Sequence, residues 1–228
     1  DTLSLHDALP ISLGGRVVVN PIAFEASATT PFSASLPEPL IAVRANVGSV
    51  QDAEAARLSG ASGVGLLRTE FLFMDAQTEP THEAQVAHYR AIFESSPTGP
   101  ILVRTLDVAI DKPLRFAQST LEEQDRGYRF LVDNRGVIER QLDAISSAQR
   151  MSGRDVWVMA PMLASSDQVR YFAELVRAKC DLRVGAMIEV PAAALSLPMF
   201  VKKLDFLSIG TNDLIQYTLA IDRADHEV

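Results

Sequence analysis

Disulfides, membrane spans and nucleotide-binding glycine loops are all missing from this sequence. A single cysteine, Cys180, among 228 residues excludes an internal disulfide and fits a reducing compartment. No apolar run approaches the roughly 18 residues that a membrane-spanning helix needs. Neither a G-x-G-x-x-G nor a P-loop motif occurs, which excludes the folds that these motifs mark. We therefore expect a cytoplasmic protein without membrane insertion.

A basic surface is also missing. The 21 Lys and Arg residues against 29 Asp and Glu residues give a net charge of −8. A general nucleic-acid binder needs a basic face, so we expect no nucleic-acid partner. The negative net charge is still compatible with a local basic pocket for a small anion. Hydrophobic residues make up 47% of the chain and charged residues 22%. These shares are ordinary for a globular protein with a sizeable core.

The amino-terminal part of the sequence differs from the rest. Residues 1–12 match no structural pattern and resemble translated sequencing-adaptor sequence, so they are left out of the fold prediction. Residues 13–25 contain a short predicted strand, Gly14–Asn20. Residues 26–39 are rich in Pro, Ser and Thr and predict a linker. Residues 40–228 carry a regular pattern, and we expect the chain to be a fragment of this domain, truncated at its carboxyl end.

Strands and helices alternate along residues 40–228. Each predicted strand is a continuous apolar run, which is typical of strands that are buried on both faces. The six predicted strands are Leu40–Asn46, Gly63–Leu67, Ile101–Val103, Asp155–Ala160, Val184–Glu189 and Asp205–Asn212. Alternating βα units predict an α/β fold with a parallel sheet. They fit an incomplete TIM-type (β/α)8 barrel, with about six of its eight units, better than a complete doubly wound sheet.

Two successive predicted strands each deliver a carboxylate to the same edge of the sheet. Glu189 ends the fifth predicted strand, and Asp213 follows the sixth, next to Asn212. Hard cations such as Mg²⁺ bind one or two carboxylates and complete their shell with waters and substrate oxygens. The alternative for each acid is a helix cap or a salt-bridge partner. The pair, with Arg223 nearby in sequence, favours a metal site.

Arginines follow two earlier strands in equivalent places. Arg68 and Arg104 each come directly after an apolar run and before a threonine, and Arg223 supplies a third guanidinium. Arginine can grip phosphate or carboxylate with two parallel hydrogen bonds and stays charged when partly buried. The alternative is a structural ion pair with a nearby acid, Glu70 or Asp107. The convergence of three arginines with two acids favours a small substrate that carries phosphate and carboxylate.

Together these segments resemble the phosphoenolpyruvate (PEP)-utilising enzymes, and within them enzyme I of the bacterial sugar phosphotransferase system. The matching motifs are long and specific, and the resemblance runs from about Gly14 to the last residue. The stretches are Gly60–Met74, Arg104–Pro113, Met187–Ala194 and Asp205–Arg223. The second stretch separates enzyme I from its relatives pyruvate phosphate dikinase and PEP synthase.

The resemblance implies roles for particular residues. Arg68, Arg104 and Arg223 would bind PEP, with help from Asn212 and Asp213, and Glu189 and Asp213 would hold Mg²⁺. The whole protein would move the phosphoryl group of PEP to a histidine on its own swivelling domain. A small phosphocarrier protein would receive the group next, and the whole protein would be a homodimer. Residues 13–25 would be a remnant of the swivelling phosphohistidine domain.

The sequence departs from the family in three places. No catalytic residue is expected within this chain. Its four histidines are His6, His82, His88 and His226, and none of them lies in a segment like the Ser-His segment of the family. The cysteine that protonates enolpyruvate in the family would lie beyond Val228, and we interpret Cys180 as structural. Ala109-Ile110 replaces the usual Gly-Gly of the third loop, where a close backbone approach would be strained by Ile.

Other functions stay open at this point. The barrel could be a non-catalytic module that senses PEP or supports dimers, with Ala109-Ile110 reflecting lost catalysis. It could also belong to a phosphotransferase like pyruvate phosphate dikinase or PEP synthase. A metal-dependent aldolase or lyase on a similar barrel would use a Glu/Asp pair too, but the two Arg-Thr strand ends argue against it. The sequence does not distinguish a sugar from a nitrogen branch, or identify the carrier.

Overall fold

The described part of the chain forms one layered α/β unit. The computed structural model describes residues 41–74, 76–107 and 126–221, all of which fall in one compact unit. The predictions for residues 1–12, 13–25 and 26–39 lie outside the described residues and stay predictions.

Six strands form one parallel sheet in the order β1-β2-β3-β4-β5-β6. The strands are β1 (Ala45–Val47), β2 (Val64–Arg68), β3 (Ile101–Arg104), β4 (Val156–Ala160), β5 (Arg183–Ile188) and β6 (Phe206–Ile209). Every neighbouring pair is parallel and consecutive in sequence. The sheet is curled into a half-barrel, which confirms the prediction of an incomplete TIM-type barrel.

Helices connect the strands. They are α1 (Val50–Leu58), α2 (His82–Ser95), α3 (Tyr128–Asp133), α4 (Arg135–Ser152), α5 (Ser166–Lys179), α6 (Pro191–Ser196) and α7 (Thr211–Leu219). Three of them begin at a side-chain cap. Ser49, Thr81 and Ser165 accept a hydrogen bond from the backbone N–H three residues further on, at 3.1, 3.2 and 3.4 Å. Such caps satisfy backbone donors that the first helical turn leaves free.

The sheet has one apolar cluster on each of its two faces. The larger one combines strand residues such as Ile101 and Val103 with helix residues such as Ile138 and Phe172, so it fills the layer between sheet and helices. The smaller one contains strand residues only: Leu102, Met159 and Met187, with Leu66, Trp157 and Phe206 packed against them. Successive side chains of a strand point to opposite faces. The smaller cluster therefore lies on the inner face of the curled sheet.

The sequence prediction was wrong about two strand boundaries and missed three helices, α3, α6 and α7. The sixth strand ends at Ile209, and the polar residues expected at its end form the first turn of α7 instead. Gly210 stands between the two elements, and the carbonyl of Ile188 accepts a hydrogen bond from its N–H at 3.0 Å. The first strand is three residues long rather than the seven of Leu40–Asn46. The short helix α3 was not predicted, because six residues show little periodicity.

A buried amide joins α4, α2 and the segment that follows β3. Gln141 on α4 is fully buried. Its side-chain oxygen accepts a hydrogen bond from the N–H of Leu106 at 2.9 Å, and its amide nitrogen donates to the hydroxyl of Tyr89 at 3.0 Å. The segment after β3 is thereby fixed to two helices on the outer face. Within the described residues, no helix is both long and apolar enough to cross a membrane.

We expect Gln141→Leu to destabilise the fold. The substitution leaves the N–H of Leu106 and the hydroxyl of Tyr89 buried without their partner, and one such group costs about 1–3 kcal/mol. The free energy of unfolding, measured by urea denaturation, should fall by at least that amount. Gln51→Leu makes the same change at an exposed position of α1 and should alter it by less than about 0.5 kcal/mol. Equal urea midpoints for Q141L and the unchanged chain would contradict this role.

Candidate functional site

Arg68 and Arg104 lie side by side at the carboxyl ends of β2 and β3. They are register partners across the two strands. Arg68 lies two positions after Leu66, and Arg104 lies two positions after Leu102. Both leucines are on the inner face, and every second side chain of a strand points to the same face, so both arginines also point to the inner face. The hydroxyl of Thr69 donates to the backbone oxygen of Arg104 at 2.9 Å and fixes the two strand ends to each other. The structure therefore brings these two predicted anion ligands together.

Arg104 has a carboxylate partner, as the alternative interpretation required. Its Nη2 donates to Oε1 of Glu70 at 2.5 Å, and both side chains are mostly buried. The ion pair does not satisfy every donor of the guanidinium group, because Nε of Arg104 is buried without a hydrogen-bond partner. Nε of Arg68 is buried and unpaired in the same way, while its guanidinium lies over the ring of Phe71 at 5.2 Å. Buried unpaired donors are uncommon and point to a missing acceptor.

Glu189 is the most deeply buried carboxylate of this edge, with 1% of its surface exposed. Burial raises its pKa to about 7, against the lowering effects of the Met162 N–H and the charge of Arg104, and Asp213 and Asp107 raise it further. The N–H of Met162 donates to its Oε1 at 2.8 Å. Arg104 and Asp213 therefore each lie within electrostatic reach of the Glu189 carboxylate.

Gly210 is required for this arrangement. A Cβ atom at position 210 would lie 2.7 Å from both Cβ and Oε2 of Glu189, closer than such atoms approach. The missing side chain therefore lets the end of β6 pack directly against the carboxylate. Asp213 and Asn212 follow in the first turn of α7, where the positive end of the helix dipole favours a carboxylate.

The structure also brings residues to this edge that the sequence analysis did not select. Asp107 is buried, and its Oδ1 accepts a hydrogen bond from the N–H of Gly127 at 2.7 Å. Nε of Arg126 lies 3.7 Å from its Oδ2. Met162 adopts a left-handed conformation with φ of 54°, rare for a residue with a side chain and frequent at functional sites. Met162 acts through its backbone N–H, for which the sequence offers no side-chain signal.

Several predicted features lie outside the described residues. Arg223 is one, and Ala109-Ile110 is another, so neither their positions nor their contacts are described. Cys180 lies at the carboxyl end of α5, away from this edge, and its thiol donates to the backbone oxygen of Val176 at 3.5 Å. This position agrees with the structural interpretation of Cys180.

The donor set of this edge suits a hard cation that retains waters. In the described ranges, no group of three or more His, Cys, Asp and Glu side chains is arranged to hold a metal. The available set is the two carboxylates of Glu189 and Asp213, joined by oxygens from water or a ligand. Mg²⁺ is bound in this way, with one or two carboxylates and substrate phosphates. The chemistry of the donors therefore fits the predicted Mg²⁺, whose binding stays a prediction.

Comparison with known proteins places the chain in a family. The model of the PEP-binding domain of PEP-utilising enzymes matches residues 29–228. The chain belongs to the PEP-utilising enzymes. A phosphoenolpyruvate-protein phosphotransferase of Streptomyces coelicolor is 43% identical over 78% of this chain and 33% of its own length. Proteins of the same name from Cupriavidus necator and Haemophilus influenzae are 41% and 37% identical, over 81% and 80% of this chain and 34% of each relative.

This PEP-utilising chain thus spans about a third of the length of the curated relatives that it matches. The match confirms the resemblance inferred from Gly60–Met74 and the other motifs. It concerns the PEP-binding part of the family only, so the activity and partners of the relatives are carried to this chain as proposals.

We expect the thiol of Cys180 to react slowly. Burial raises its pKa to about 11, so that about one thiol in a thousand is ionised at pH 8. Alkylation by iodoacetamide at pH 8 should be on the order of a hundredfold slower in the folded chain than in urea, where the thiol recovers its ordinary pKa. The rate in the folded chain should rise with pH until about pH 11. Equal rates in the two states would contradict the structural interpretation.

Proposed function

We propose that this chain is the PEP- and Mg²⁺-binding barrel of an enzyme I-type phosphotransferase. The observation that carries the proposal is the pair of buried, unpaired Nε atoms of Arg68 and Arg104. The charge of Arg104 also acts on the buried carboxylate of Glu189. A site that offers both hydrogen-bond donors and carboxylates suits a phosphorylated anion together with a cation. Membership of the PEP-utilising enzymes supports the identity of that anion.

The arginines would neutralise the charge of the substrate. Arg68 and Arg104 are neighbours on two strands, so their guanidinium groups could contact different oxygens of one small molecule. Charge-assisted hydrogen bonds of arginine to phosphate or carboxylate are about twice as strong as neutral ones. Thr69 holds the backbone that carries them, which keeps the donors in place before the substrate arrives. Asn212, Asp213 and Arg223 would complete the substrate site.

Glu189 and Asp213 would hold Mg²⁺ on the other side of the substrate. The bound ion would polarise substrate oxygens and offset the charge that develops on the departing enolate. The carboxylate of Glu189 is held in place, because it accepts a hydrogen bond from the N–H of Met162 and Gly210 packs against it. It would therefore fix the position of the ion. Phosphoryl transfer depends mainly on positioning and charge neutralisation, which is what these side chains can supply.

The whole protein would be a cytoplasmic homodimer. It would transfer the phosphoryl group of PEP to a histidine of a swivelling domain and from there to a small phosphocarrier protein. Neither that histidine nor the proton-donating cysteine of the family has a counterpart in this sequence. A second candidate is a non-catalytic module that senses PEP, and the replacement of Gly-Gly by Ala109-Ile110 favours it.

Binding of PEP tests the proposal directly. We expect calorimetry to detect PEP binding to the full chain that depends on Mg²⁺. Arg68→Gln and Arg104→Gln should each weaken it about tenfold or more, since a hydrogen bond to a charged group contributes about 1.5–3 kcal/mol. Arg90→Gln serves as the control, because Arg90 is an exposed residue of α2 paired with Glu94. No PEP binding, or equal affinities for all three variants, would contradict the proposed site.

Phosphorylation separates the two candidates. We expect incubation of the chain with labelled PEP and Mg²⁺ to leave it unphosphorylated, because none of its four histidines lies in the acceptor motif of the family. Supplying a phosphohistidine domain of enzyme I should then yield phosphorylation of that domain if the barrel is catalytic. Binding of PEP without this transfer would favour the sensing module. A phosphorylated chain would refute the expectation that the fragment alone is inactive.

A further inference from the structure

We propose that Phe71 is a positioning residue of this site, whose ring holds the guanidinium of Arg68 in the orientation that binds the anion. The proposal rests on the proposed function and deepens it, because it names what keeps one arginine of the substrate site in place. It follows from the turn that carries Phe71, from the contact of its ring with Gly48, and from the stack with Arg68.

The turn that follows β2 places one side chain beside each arginine of the neighbouring strand ends. This 3-10 turn spans Glu70–Leu72. Glu70 forms the ion pair with Arg104. The next residue, Phe71, lies under the guanidinium of Arg68, whose Cζ is 5.2 Å from the ring centroid. Two consecutive residues of one turn therefore contact the two arginines that are expected to bind the anion.

The same turn is anchored in the core. Phe73, which follows it, is fully buried in the larger apolar cluster, and Leu72 packs against that cluster. The N–H groups of Phe73 and Met74 donate to the backbone oxygen of Glu70 at 2.9 and 3.0 Å. These contacts give Phe71 a defined backbone position, although 44% of this residue stays exposed.

The ring of Phe71 packs against the backbone of Gly48, in the loop between β1 and α1. A Cβ atom at position 48 would lie 2.5 Å from Cε2 and 2.6 Å from Cδ2 of the ring, closer than such atoms approach. The loop is itself held, because the N–H of Gly48 donates to Oδ2 of Asp52 in the first turn of α1 at 2.9 Å. A side chain at position 48 would therefore displace the ring.

A stacked ring orients a guanidinium without using its hydrogen-bond donors. The cation is attracted to the face of the ring, whereas the N–H donors of arginine point outward in the plane of the group. Nε of Arg68 is buried without a hydrogen-bond partner. Arg104 differs, because the carboxylate of Glu70 occupies one of its donors. The ring thus holds Arg68 in place and leaves its donors for an anion.

Orientation before binding increases affinity. The long side chain of arginine loses rotamer freedom when it contacts a ligand. A ring that already restricts the guanidinium removes part of this loss before the ligand arrives. We therefore expect that loss of the ring weakens anion binding while the fold is little affected, because Phe71 is exposed rather than part of the core.

Calorimetric titration of the full chain with PEP in the presence of Mg²⁺ tests the assignment. Phe71→Leu removes the ring and should weaken binding about fivefold, whereas Phe71→Tyr keeps the ring and should bind like the unchanged chain. Gly48→Ala alters neither stacking partner but displaces the ring, so it should weaken binding as Phe71→Leu does. Gly136→Ala makes the same change at an exposed position of α4 and serves as the control. Thermal unfolding without ligand should be similar for all four variants.

A double-mutant cycle separates orientation of Arg68 from direct contact of the ring with the ligand. In the R68Q background, F71L should weaken PEP binding no further, because the residue through which the ring acts has been removed. G48A takes the place of F71L in the cycle if F71L does not fold. An equal loss in both backgrounds overturns the inference. So does a loss in F71Y as large as in F71L, or no loss in either F71L or G48A.

A failure of this inference can be told apart from a failure of the proposed function. If the unchanged chain binds no PEP, the proposed function fails, and Phe71 is judged by titration of inorganic phosphate with Mg²⁺. A weaker phosphate affinity of F71L that F71Y restores supports the inference. Equal phosphate affinities for the unchanged chain and F71L, or no phosphate binding to either, overturn it.

Discussion

The parallel direction of all six strands is the constraint on which the site depends. Helical connections return the chain to the same end of the sheet each time, so every strand finishes at one edge. Side-chain alternation then decides which residues at that edge point inward. Arg68, Arg104 and Glu189 continue the alternation that places Leu66, Leu102 and Met187 on the inner face. Arg104 and Glu189, 85 positions apart in the sequence, come within electrostatic reach of each other for this reason.

Burial strengthens the electrostatic interactions between these charged side chains. The Coulomb energy of two charges in a partly buried site is several times larger than in water. The described edge carries four carboxylates, of Glu70, Asp107, Glu189 and Asp213, and three guanidinium groups, of Arg68, Arg104 and Arg126. Carboxylates therefore outnumber guanidinium groups by one. Burial is the main reason that the pKa of Glu189 rises to about 7, and the neighbouring acids Asp213 and Asp107 raise it further against the lowering effect of Arg104.

This imbalance couples the two proposed ligands. A divalent cation beside Glu189 and Asp213 would reverse the sign of the local charge and favour their ionised forms. The edge would then attract an anion more strongly, and a bound anion would in turn hold the cation. Coupling of this kind is reciprocal by thermodynamic necessity. On the proposed function, Mg²⁺ and PEP therefore stabilise each other's binding through the field of the site, in addition to any direct contact between them.

The sequence predicted those parts of the site that depend on strand ends. Arg68, Arg104 and Glu189 could be selected because each follows an apolar run. Since the strands are parallel, the ends of these runs lie at the same edge of the sheet. Asp213 was expected at the end of a strand, but the polar run after Ile209 begins a helix instead. Arg126 and Met162 could not be found this way. Their positions depend on how the loops after β3 and β4 pack, through Gly127 and a left-handed backbone, and no periodicity reports such packing.

The ion pair of Arg104 with Glu70 fits the same account. Taken alone, the 2.5 Å contact supports a purely structural arginine. A structural pair, however, would leave no reason for the buried Nε of Arg104 to lack an acceptor, since an unpaired buried donor costs about 1–3 kcal/mol. Glu70 instead fixes one side of the guanidinium and leaves the other free. On the proposed function, a donor that is already oriented would lose little freedom when the anion binds, so the cost carried by the empty site would become affinity for the ligand.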